Sequence, residues 1–122
     1  MTLSEGHLPE SILTYHRQLN RDGVIPSTIF RRNHLAYTLL CHVNNIVACL
    51  LSENYHVVAL LLGRAAGQLE LLRKPEMKRP PEEMAYFDFV EQYLRTVTAF
   101  ILERDIPPIV AEEIPVEWRL PK

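Results

Sequence analysis

Apolar residues recur at helical spacing in four stretches of the chain, and prolines, glycines or polar residues separate these stretches. Caps and breaks place the helices at about 9–20, 27–52, 55–74 and 81–104. We therefore predict an all-α fold, with an antiparallel four-helix bundle as the leading arrangement. Two helical hairpins stacked as in a repeat protein are the alternative.

The second and third helices carry more apolar surface than a single face. The second helix has apolar side chains on three adjacent lines, one of which runs through Val43 and Leu50. The third has a seam that advances by three and four residues from Tyr55 to Leu72 without a miss. Such helices must be covered on more than one side. One bundle of 122 residues is too small to bury the apolar surface of both helices easily. We therefore expect self-association, most simply as a symmetric dimer.

Small residues recur every four positions on another line of the third helix, at Ala59, Gly63 and Gly67. Each glycine inside a helix costs about 1 kcal/mol relative to alanine. Two glycines on one face of a helix therefore predict that a second backbone comes close there, within the fold or at an interface.

Residues 105–122 contain four prolines and cannot form a helix of any length. We call this segment the tail and separate it from a helical bundle domain at residues 1–104. Apolar residues alternate with others along it, at Ile114, Val116, Trp118 and Leu120. That alternation predicts an extended strand with one apolar edge. The edge must pack on the chain's own bundle, on a twin subunit or on a partner protein.

Composition and charge narrow the function classes. The apolar fraction of 48% is enough for a folded core without metals or disulfides. A formal charge of −2 supplies no global field for nucleic acid. No secretory signal and no membrane-spanning stretch are visible, so we expect a cytoplasmic protein. Cys41 and Cys49 lie about 12 Å apart on one helix and cannot bridge each other.

The least apolar face of the second helix is a possible polar site. Its chemistry-bearing members are His34, Thr38, Cys41, His42 and Asn45. Thiol and imidazole groups can bind soft metals or form a reactive pair. His34 and Cys41 are about 10 Å apart along the axis, so any site would need another helix. We interpret the face as architecture and predict no cofactor, metal or catalytic residue.

Two basic groups suggest nucleic-acid binding as an alternative function. The first consists of Arg17, Arg21, Arg31 and Arg32, and the second of Arg73, Lys74, Lys78 and Arg79. If the fold brought them together, they could hold phosphates. The formal net charge of −2 argues against nucleic-acid binding.

The leading functional hypothesis is a non-enzymatic interaction protein, either an adaptor or a small regulatory subunit. The sequence has no glycine-rich phosphate loop, nucleophile elbow, CxxC pair or HExxH motif. Its surplus apolar surface instead favours contact with a second copy or with another protein. A thiol or metal site on the second helix is a further alternative.

Overall fold

Six helices make up the part of the chain that the computed structural model describes. That part comprises residues 8–19, 34–75, 81–104 and 106–119, without the side chains of residues 16, 19, 34–36 and 82. The long helices are α1 (Glu10–Leu19), α2 (His34–Leu51), α3 (Tyr55–Leu72) and α4 (Pro81–Leu102). The tail adds two single-turn helices, α5 (Pro108–Ala111) and α6 (Val116–Arg119). These residues include no strand, so the predicted all-α class is confirmed.

The helix boundaries follow the predicted ones closely. α1 is one residue shorter at each end, α3 ends at Leu72 instead of Lys74, and α4 begins at Pro81 as expected. The predicted start of the second helix, near Pro26 and Ser27, lies outside the described residues. Among the helices described here, none has the length and apolar character required to cross a membrane.

A tight turn joins α2 to α3. Glu53 takes a left-handed conformation with φ of 59°. The Glu53 amide donates to the Leu50 carbonyl at 3.1 Å, and the Asn54 amide donates to the Cys49 carbonyl at 2.8 Å. These are the paired bonds of a Schellman motif, which satisfy the last carbonyls of a helix. Because the turn is so short, α2 and α3 pack as an antiparallel hairpin.

The core is built from the apolar seams that the sequence predicts. α3 packs on α2 and α4, and α1 packs on α4. The helices contribute fully or nearly fully buried side chains at Leu39, Val43, Ile46 and Leu50 of α2, Val58, Leu62, Ala65, Leu69 and Leu72 of α3, and Phe87, Val90, Leu94, Val97 and Ile101 of α4. These contacts are compatible with a four-helix bundle.

The described residues of the α2 and α3 seams are largely buried. The described residues leave only a few large apolar side chains exposed, at Tyr37, Leu60, Leu71, Ile109 and Val116. None of them belongs to the seam of α3, and only Tyr37 belongs to α2. The apolar surplus therefore lies mainly on the outer side of α3 and on the tail.

The tail does not form the predicted strand. Ile114 and Trp118 are buried, whereas Val116 between them is 57% exposed. The Trp118 and Arg119 amides donate to the Pro115 carbonyl at 3.0 and 3.3 Å, which closes a helical turn. Residues four apart share one side of such a turn, so the strand prediction is wrong. Leu120 lies outside the described residues.

The two helical glycines of α3 have different surroundings. A Cβ added to Gly63 would clash with the Glu113 carbonyl oxygen, which belongs to the tail backbone. A Cβ added to Gly67 would meet no described residue within 4 Å. The predicted approach of a second backbone therefore occurs at Gly63 and does not occur at Gly67.

We expect opposite effects when each glycine is replaced by alanine. Gly67→Ala should raise the free energy of unfolding by about 0.5–1 kcal/mol, because it improves helix propensity in open space. Gly63→Ala should lower it by about 1–3 kcal/mol, because the new methyl group displaces the tail. Urea denaturation monitored by circular dichroism measures the free energy of unfolding of both variants. Each variant serves as the control for the other. Shifts in the same direction would contradict the tail contact at Gly63.

Candidate functional site

A groove of about 710 Å³ lies where the tail passes over α3 and α4. Gly67 and Ala66 of α3 line part of it, next to Pro115 and Trp118 of the tail. Its charged lining comes from Glu70, Arg73, Glu91 and Glu117. The groove therefore combines open space beside a glycine with apolar surface and several charges.

Two arginines and two carboxylates form a network along one side of the groove. Arg73, which caps the end of α3, binds Asp88 through Nη2 at 2.6 Å and Glu91 through Nη1. Arg95 Nε donates to Glu91 Oε2 at 3.0 Å, one helical turn along α4. The network thus joins the end of α3 to α4. Its two positive charges balance its two negative charges.

The Glu91 carboxyl group has a lowered pKa. Partial burial would by itself raise this pKa, but hydrogen bonds from Arg73 and Arg95 and the charges of both arginines outweigh the burial. Glu91 consequently remains ionised below its usual range. This keeps both arginines in place at the edge of the groove.

Arg95 also connects the network to the tail. Its Nη1 donates to the Glu117 carbonyl at 3.3 Å, and its guanidinium carbon lies 6.0 Å from the centroid of the Trp118 ring. That distance is at the limit of a cation–π contact. Within the tail, Arg119 Nε donates to the Ile114 carbonyl at 3.0 Å. The position of Trp118, the only tryptophan in the chain, is therefore fixed from α4 and from within the tail.

Two carboxylates of the groove remain outside this network. The Glu70 side chain on α3 and the Glu117 side chain on α6 are exposed, and neither takes part in an ion pair in the described part of the chain. Because the arginine network is neutral, these two groups give the described lining of the groove a formal charge of −2. The groove is thus suited to a cation.

One residue on the polar face of α2 is in hydrogen-bond contact with α3. His42 Nδ1 lies 2.9 Å from Gln68 Oε1, which fits a ring that donates from Nδ1. Thr38 is half-buried and has a bonding partner, and Asn45 is exposed. The side chain of His34 lies outside the described part of the structure. The described residues bring no three His, Cys, Asp or Glu side chains together around a possible metal position.

Both cysteines are half-buried free thiols. Burial raises the pKa of the Cys49 thiol. A raised pKa reduces the thiolate fraction, and the thiolate is the nucleophilic form. The surroundings of Cys49 therefore disfavour nucleophilic chemistry at this residue.

The described members of the two basic groups are largely neutralised. Arg17 pairs with Glu10 at 3.3 Å, and Arg73 belongs to the network with Asp88 and Glu91. Lys74 is exposed just after α3. The remaining members, Arg21, Arg31, Arg32, Lys78 and Arg79, lie outside the described residues.

The sequence analysis singled out four residues of the groove, which are Gly63, Gly67, Arg73 and Trp118. It did not single out the other residues of the lining. Glu91 and Arg95 are four residues apart on one helix, a spacing that typically indicates an ion pair. That signal was available in the sequence. The sequence did not indicate the partners of Arg73, because they lie on the next helix.

Comparisons with protein-family models, with curated proteins and with solved structures give no match to this chain. No relative therefore indicates which residues carry a function. The groove and the exposed apolar side chains are the features from which we infer one.

The lowered pKa of Glu91 predicts an acid-sensitive contribution to stability. A carboxyl group with a depressed folded-state pKa stabilises the fold above its ordinary value of 4.5, and this contribution disappears as pH falls through the folded-state value. Glu91→Gln should therefore be less stable than the original chain at neutral pH, and the difference should shrink as the pH falls below 4.5. Urea midpoints across this range measure the difference. An unchanged difference at acidic pH would contradict the role of the charge.

Replacing Trp118 tests whether the tail stabilises its own bundle. Trp118→Ala removes a side chain that is only 8% exposed and should lower the free energy of unfolding by about 3 kcal/mol. Val116→Ala, on the exposed side of the same turn, is the matched control and should change it by less than about 0.5 kcal/mol. Circular dichroism in urea measures both. Equal effects would show that the buried side of the turn has no special role.

Proposed function

We propose that the chain is a non-enzymatic interaction module, an adaptor or small regulatory subunit, that self-associates through the apolar side chains exposed around its tail. The observation that carries this proposal is Ile109, which is 75% exposed on α5. An exposed apolar side chain on a fixed turn favours contact with another protein when further exposed apolar side chains lie around it. Leu60 and Val116 extend the apolar surface on neighbouring elements.

The backbone around Ile109 is fixed by its own hydrogen bonds. Pro107 precedes α5 in an extended conformation, and its carbonyl accepts the Val110 and Ala111 amides at 3.0 and 3.1 Å. Two adjacent prolines restrict the approach to this turn. α5 in turn contacts α3. Little conformational freedom would therefore be lost at the backbone when Ile109 enters an interface.

The exposed apolar side chains belong to elements that meet at one place. The tail backbone crosses α3 at Gly63, and Leu60 is one helical turn before that position. Ile109 and Val116 lie before and after Glu113, the tail residue that contacts Gly63. A single exposed apolar residue is ordinary, but several around one crossing favour an interface. In a symmetric dimer, the same surface of each subunit would face the other.

Solution mass tests the proposal directly. We expect the chain to form dimers at micromolar concentration in light scattering. Ile109→Ser should weaken the dimer by about tenfold or more, since it removes one buried apolar side chain per subunit. Leu71→Ser is the matched control. Leu71 is a large exposed apolar residue like Ile109, but it lies on α3, two turns beyond Gly63. A strictly monomeric chain, or equal effects of the two substitutions, would contradict self-association through this surface.

A further inference from the structure

We infer that the groove between α3, α4 and the tail is a docking site for an arginine or lysine side chain of a partner peptide. The groove adjoins the proposed dimer contact, and both depend on the docked tail. The partner is defined by its chemistry, which is a basic side chain presented on a protein segment.

The charge of the groove favours a cation. Arg73, the only basic side chain among the described residues that line the groove, is occupied by Asp88 and Glu91. Arg95, just behind the lining, is occupied by Glu91 and the Glu117 carbonyl. The carboxylates of Glu70 and Glu117 have no such partner in the described ranges. An incoming cation would therefore meet two uncompensated negative charges on two different elements.

The apolar part of the lining fits the rest of a basic side chain. Arginine and lysine have an apolar stem and a cationic head, and they bury the stem while the head stays near water. Ala66 and Leu69 of α3 and Pro115 of the tail offer apolar surface for the stem. The open space beside Gly67 gives it room. Acidic groups and apolar surface thus occur together, as a basic side chain requires.

Trp118 adds an aromatic surface to the same groove. It is 8% exposed and is one of the residues that line the groove. Aromatic rings attract cations at their faces, and arginine stacks on them readily. An anionic partner such as nucleic acid would instead meet the unpaired carboxylates and be repelled. The lining therefore distinguishes a basic peptide from a polyanion.

Selection from a displayed library of random twelve-residue peptides tests the inference, because such a library samples every side-chain chemistry. The full chain is used as bait in parallel with three variants. Gly67→Leu fills the groove, and the pair Glu70→Gln with Glu117→Gln removes its charge. Glu112→Gln is the matched control, because it removes a tail carboxylate that does not line the groove. Circular dichroism melts establish that each variant is folded.

We expect peptides rich in arginine and lysine from the original chain and from Glu112→Gln, but not from the other two variants. Binding of one selected peptide is then measured by fluorescence of Trp118, the sole tryptophan. Replacing its arginines with neutral citrulline should weaken binding by about fivefold or more, and each single glutamine substitution in the groove by about two- to fivefold. Higher salt should weaken it further.

Several outcomes would overturn the inference. These are peptides with no excess of basic residues, equal binding to Gly67→Leu, or equal affinity of the citrulline peptide. Binding of free arginine amide as tightly as the peptide would show a small-amine site instead. Dissociation of a dimer by the glutamine pair would show that a second copy occupies the groove.

The two proposals fail separately. A monomeric chain that selects basic peptides would end the self-association proposal and leave the groove inference standing. A dimer that is weakened by Ile109→Ser but selects no basic peptides would support self-association and contradict the groove inference.

Discussion

The packing of the tail on α3 and α4 is the contact on which the rest of the molecule's surface depends. The Glu113 carbonyl lies against Gly63, where any side chain would prevent the approach. Trp118 and Ile114 are buried on the same side of the tail, and Arg95 binds it from α4. Without this packing the groove would lose one wall, and Ile109 would lose its fixed position.

Periodicity predicted the helices well because the long helices carry apolar residues at steps of three and four. The seams from Val58 to Leu72 and from Phe87 to Ile101 are buried as their spacing indicates. The same method failed in the tail, where Ile114, Val116 and Trp118 alternate with other residues. Alternation over so few positions also fits a helical turn, because the first and last members are four residues apart. Burial of Ile114 and Trp118 then decides between the two conformations.

The candidate site was less predictable than the fold, because its parts come from distant segments. The sequence correctly indicated a close backbone at Gly63, but not that the backbone would be the tail. Gly67 looked equivalent and proved to face open space. Local spacing suggests the Glu91 and Arg95 pair, whereas the bonds of Arg73 to α4 depend on tertiary packing. The contacts of the tail and α4 with α3 likewise depend on tertiary packing.

The short connection between α2 and α3 has a consequence for the order of folding. Contacts within that hairpin join residues close in sequence, and its turn is closed by local hydrogen bonds at Glu53 and Asn54. Contacts of this kind form quickly, whereas the approach of Glu113 to Gly63 must close a much longer loop. We therefore expect the helical hairpin to form early and the tail to dock late. Mutations in the tail should accordingly speed unfolding more than they slow refolding.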